Sequence, residues 1–140
     1  MKLRLAQFAH ARSGDKADRA DIGLFAWDEA GYAVLLQLVT PQRVADHFAH
    51  HMGSREVKRI ECYPLPNILA IKWVLNGALS GGAAHSLRSD NLGKTIAAQM
   101  LRMEVDVEDT QAAALLAGAH RGAQSLRAPS TTPSPASSKP

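Results

Sequence analysis

Five consecutive residues, Arg12-Ser13-Gly14-Asp15-Lys16, set a guanidinium, a hydroxyl, a carboxylate and an ammonium around one glycine. Such a set can hold an anion between its cations or present a nucleophile or a proton donor, and the glycine allows backbone conformations that other residues avoid. Ser-Gly-Asp is also ordinary turn chemistry, and Asp15 can simply pair with Lys16 or Arg19 at the surface. Ser13 has no base that the sequence places beside it, because His10 belongs to a neighbouring extended segment whose side chains alternate. A second polar stretch begins at Gly81-Gly82 and carries Ser86, Arg88 and Lys94 around the start of an expected helix, where free N–H groups favour an anion. The same residues also read as caps, with the glycines ending one helix and Asp90 or Asn91 starting the next. Gly93-Lys94-Thr95 looks like the end of a nucleotide-binding loop, but that loop needs a glycine five residues earlier, where Arg88 stands.

Histidines at 47, 50 and 51 form a His-x-x-His-His run, and His47 with His51 have the i, i+4 spacing of two-histidine zinc sites. The glutamate that follows the first histidine in zinc hydrolases is replaced by Phe48, and no third ligand is indicated, so no metal is expected. The single cysteine, Cys62, precludes an intrachain disulfide and reads as a small buried hydrophobe.

Alternation over residues 2–8 and 22–27 predicts two strands joined by a long polar loop over residues 11–21. Tyr32, Leu35, Leu36 and Val39 follow a helical stripe, and Thr40-Pro41 reads as an N-cap with proline at the first helical position of a helix ending near Met52. Residues 55–63 are a strand candidate. Pro64-Leu65-Pro66-Asn67 then breaks the chain, and Asn67 is placed to cap a largely buried helix over residues 68–79. A last helix over residues 91–101 and a closing strand over 103–107 complete the domain. The fold class is α+β, a small ferredoxin-like open sandwich with a mixed sheet and helices on one face.

The chain has 140 residues, enough for one compact domain. Residues 1–107 form that domain. Residues 108–127 read as a marginal, alanine-rich helical appendage with little apolar area, and residues 128–140 as a disordered Pro/Ser/Thr-rich tail. Removal of everything beyond about residue 111 should therefore leave the fold nearly unchanged. The isoelectric point near 9.3 invites a nucleic-acid reading. However, all acidic residues lie at or before Asp109, whereas Arg121, Arg127 and Lys139 lie beyond Gly118, so the folded part is neutral and the basic excess belongs to the end of the chain. With 5% aromatic residues and none interleaved with a basic run, nucleic-acid binding is not expected. No apolar run approaches the ~20 residues of a membrane helix and no secretory signal is visible, so the cytoplasm is the expected compartment.

Ala11-Arg12-Ser13-Gly14-Asp15-Lys16, Asp18, Ile22-Gly23, Leu65-Pro66-Asn67, Gly81-Gly82, Ser86-Leu87-Arg88, Asp90 and Gly93-Lys94 together resemble the AtuA-like ferredoxin-fold family, found as the C-terminal domain of acyclic terpene utilisation proteins or as a separate small protein. The chain resembles the separate form over about residues 4 to 107. It departs from the family pattern at Ala17, usually glycine, and at Asp21 and Lys72, each usually asparagine. The resemblance implies a role near the catabolism of acyclic terpenes or branched acyl-CoA compounds, with a large AtuA-like protein or a second copy as partner, and implies neither a catalytic residue nor a cofactor. The alternative is an independent binding module for an acyl-CoA or other anionic small molecule. For either role the candidate ligand-binding residues are Arg12 to Lys16, Asn67, Gly81, Gly82, Ser86, Arg88 and Lys94. The two polar segments are expected to converge on one ligand.

Overall fold

The computed structural model describes residues 1–16, 19–77 and 92–127. Strands β1 (Lys2–Arg4), β2 (Ala9–Lys16) and β3 (Arg19–Ala26) lead to helices α1 (Glu29–Leu38), α2 (Pro41–His47) and α3 (Ala49–Met52). Strands β4 (Ile60–Leu65) and β5 (Ala70–Asn76), helix α4 (Leu92–Leu101), strand β6 (Glu104–Asp106) and helix α5 (Asp109–Arg127) follow. The main sheet has the order β2-β3-β5-β4, and β1 pairs with β6 in a separate two-stranded sheet. Every pairing is antiparallel, which corrects the expected mixed sheet. The α+β class and the ferredoxin-like arrangement stand.

Alternation decides which side of the main sheet is buried. Along β3, Ala20, Ile22, Leu24 and Ala26 are buried, while Asp21, Gly23 and Phe25 are only partly so. Their partners Ile71, Trp73 and Leu75 on β5 continue the buried layer. Helices α1, α2 and α4 cover this side, packing on β3, β4 and β2 respectively. Val34 and Leu35 from α1, Val44 and Phe48 from the α2 region, and Ile96 and Met100 from α4 close the core. Full burial of each such side chain contributes about 1.5–3 kcal/mol.

Local signals account for the helix starts. The Asp28 carboxylate accepts from the Gly31 N–H at 2.8 Å, and the Thr40 hydroxyl accepts from the Arg43 N–H at 3.2 Å with Pro41 in the first turn. Each cap satisfies an N–H that the helix itself cannot.

Two elements differ from expectation. The helix expected over 68–79 does not form over the described part, 68–77: Pro66–Ile68 make a single 3-10 turn, Leu69 takes a left-handed φ of 54°, and Ala70–Asn76 are the interior strand β5. Ala70 and Val74, on its side away from the helices, are apolar too and leave Lys72 as the single polar break between Ala70 and Leu75, so the apolar run imitates a buried helix. Nor do residues 11–16 and 19–21 form a loop. Their polar residues belong to a β2–β3 hairpin paired from Ala9↔Ala26 to Lys16↔Arg19. Cross-strand pairing here overrides local turn chemistry.

Helix α5 extends over 19 residues and brings Ala112 and Leu115 into the core, with Leu116 and Ala119 packed against it. Residues 128–140 lie outside the described residues. Among the described residues, no helix is long and apolar enough to cross a membrane.

Candidate functional site

Among the described residues no helix packs on the side of the main sheet away from α1, α2 and α4, and strand register arranges the residues of this open face in three rows. One row runs Arg12–Gly23–Lys72–Tyr63 across β2, β3, β5 and β4. Next to it lies Gly14–Asp21–Val74–Glu61, and on the other side His10–Phe25–Ala70–Leu65. Neighbouring strands are about 4.8 Å apart, so the backbones of Arg12 and Lys72 stand about 10 Å apart with a glycine between them. Both cationic side chains are exposed, and among the described residues no ion pair holds either of them.

Gly23 gives this face its relief. A Cβ there would lie 2.9 Å from the Phe25 ring, so the ring lies over space that a larger residue at 23 would take. A groove of about 350 Å³ runs past Phe25 and Gly23, with Leu65 and Ala70 as apolar wall and Arg12, Asp21 and Lys72 as its charged groups. A second groove, of about 440 Å³, adjoins it between Arg19, Asp21, Glu61, Tyr63 and Lys72.

The acidic end of the face is partly committed. Glu61 accepts from the Tyr63 hydroxyl and, at 2.6 Å, from Asn76 Nδ2. The Tyr63 hydrogen bond, then the Asn76 one and the nearby Arg19 charge, hold the Glu61 carboxyl below its usual range, and the same bond raises the Tyr63 hydroxyl. At the other end His10 stacks on Phe25, with centroids 5.1 Å apart and planes 13° apart, and leans on Trp27 at 4.5 Å. Burial, and secondarily the Arg12 charge, lower the His10 pKa, which favours the neutral ring.

The candidate residues expected from sequence are dispersed by this geometry. Arg12 and Gly14 line the open face, while Ser13, opposite the buried Ile22, alternates to the helix side. Asp15 and Lys16 lie opposite Ala20 and Arg19 in the same ladder. The five consecutive groups are strand residues rather than a loop around one ligand. Asn67 is exposed in the turn between β4 and β5. Gly81, Gly82, Ser86 and Arg88 lie outside the described residues, as does the expected convergence of the two segments; Lys94 falls in the first turn of α4. Lys72, Phe25, Asp21 and Tyr63 were not read as site residues. The available signal was a lone lysine within the apolar run Ala70-Ile71-Lys72-Trp73-Val74-Leu75, which marks the open side of a strand.

The other candidates recede. His47 Nε2 lies 2.6 Å from the Gln99 carbonyl, and among the described residues no group of three His, Cys, Asp or Glu side chains could hold a metal. Cys62 is half-buried against the core, and burial raises its thiol pKa. A groove of about 590 Å³ between α2 and β6 has several charged lining groups, three of which are already engaged: Arg43 donates to the Glu104 carbonyl, Asp46 meets Arg55 at 3.6 Å, and Asp106 holds the N-terminal ammonium at 3.1 Å.

A family model, the AtuA ferredoxin-like domain, matches residues 3–106, from β1 through β6. No curated protein and no solved structure matches the chain.

Proposed function

The chain belongs to the AtuA ferredoxin-like domain family, and from that premise we propose that it is a small subunit or domain partner of a large AtuA-like protein. The associated reaction class is the catabolism of acyclic terpene or branched acyl-CoA compounds in the cytoplasm. The observation that carries this reading is the one-sided sheet: among the described residues helices cover one face, and the other exposes Tyr63 and Leu65 beside Arg12 and Lys72, for which no described residue forms an ion pair. An open face with apolar and charged groups in rows is suited to association and to lining a shared site. The contribution proposed for the chain is binding and positioning, which the exposed Arg12 and Lys72 beside the apolar Phe25 and Leu65 support.

Sedimentation velocity tests the subunit role. The purified chain mixed with a large AtuA-like protein should co-sediment and melt at a higher temperature than alone, because a partner that binds only the folded state stabilises it by mass action. Independent sedimentation with unchanged melting would overturn the subunit role and leave the independent binding module.

A further inference from the structure

We propose that the groove between Arg12 and Lys72 on the open sheet face binds an amphipathic anion, a carboxylate or phosphate monoester carrying an apolar chain. This inference concerns the chain's own surface and does not require the large partner. Its basis is the register: Arg12 and Lys72 lie directly opposite Gly23 on its two flanking strands. The glycine supplies no side chain of its own, and the edge of the Phe25 ring, 2.9 Å from where a Cβ at 23 would stand, forms the floor of the groove between the two cations. The neighbouring row supplies the apolar half, with Phe25, Ala70 and Leu65 lining the same groove of about 350 Å³. That volume accommodates a small ligand with a chain of several carbons.

The remaining charges set the polarity. Glu61 is occupied by Tyr63 and Asn76, so among the described residues Asp21 is the carboxylate of this face left to compete with a bound anion for the two cations. Asp21 is diagonal to both Arg12 and Lys72, within reach but not directly opposite either. The headgroup therefore sits at the Arg12 and Lys72 side chains, against the edge of the Phe25 ring that covers Gly23, and the chain runs along Phe25 toward Leu65. Arg12 can engage two oxygens at once, whereas Lys72 acts as a point charge.

The test uses the full chain and three ligands of one chain length: octanoate, octyl phosphate and uncharged methyl octanoate. Amide chemical shifts at Gly23, Phe25 and Lys72 report the groove. At least one anion should bind about tenfold more tightly than the ester, and Arg12→Gln or Lys72→Gln should each remove about tenfold of that affinity. Asp21→Asn should tighten anion binding. Circular dichroism checks that each variant is folded, and a variant that fails this check is replaced by raising the salt concentration on the native chain, which should weaken the anions and spare the ester. Whichever anion binds more tightly identifies the headgroup. Equal affinity for anions and ester, or anion-induced shifts confined to other surfaces, would overturn the proposal. Anion binding by a chain that ignores the large AtuA-like protein would retain this inference and remove the subunit role, and the opposite pair of results would do the reverse.

Discussion

Gly122 of α5 lies so close to Trp27 that a Cβ at position 122 would stand 2.4 Å from the indole Cε3. One turn earlier, a Cβ at Gly118 would stand 2.3 Å from Asp28 Oδ2, the carboxylate that caps α1, and Arg121 lies 3.8 Å from the same oxygen. The two glycines let α5 approach the start of α1, and the contact continues to His10 through its tilted ring contact with Trp27.

The closeness predicts that Gly122→Val destabilises the chain by about 1–3 kcal/mol, because the indole must leave its place. Ending the chain after residue 111 should cost about 2–4 kcal/mol through loss of the buried Leu115 and its neighbours. Thermal denaturation measures both. Melting temperatures unchanged by either alteration would show that α5 contributes nothing to stability.

His10 should give the fold an acid-side pH dependence. Its pKa is lowered in the folded chain from 6.5, so as pH falls through that value the unfolded chain takes up the proton first. Stability is then full above about pH 6.5 and declines as pH falls toward the folded pKa. Melting temperature against pH from 7.5 to 5 should show this decline, and His10→Gln should flatten it. An equal slope in the variant would assign the effect elsewhere.

Thr40→Ala should lower stability by about 1 kcal/mol by leaving the Arg43 N–H without its side-chain acceptor. Thr40→Ser, which retains the hydroxyl, should recover most of the loss. Loss of the same size in both variants would assign it to the methyl group instead.

The contrast between Thr40 and Lys72 explains what was legible in sequence. Thr40-Pro41 is a local signal, and the helix begins where it says. The same holds for the α1 stripe, for α4 and for the closing strand β6. Lys72 looked like one position on a helix face because Ile68, Ile71 and Leu75 have helical spacing, and only the pairing of β5 with β3 and β4 reveals the alternation. The residues from Arg12 to Lys16 resembled a loop for a related reason: their turn-like chemistry is local, whereas the hairpin register that separates Arg12 from Ser13 is not. The family was readable because short motifs survive without geometry; the rows of the open face were not, since each joins two strand pairs, β2–β3 and β4–β5, that lie far apart along the chain.

Lysine acetylation footprinting of the chain alone and in complex with a large AtuA-like protein tests most directly whether the open sheet face is what this subunit contributes. Lys72 should lose most of its reactivity in the complex, while Lys58, exposed beyond the open face and paired only with Glu56 at 3.6 Å, should react as before. A complex in which Lys72 reacts as readily as in the free chain would contradict the account.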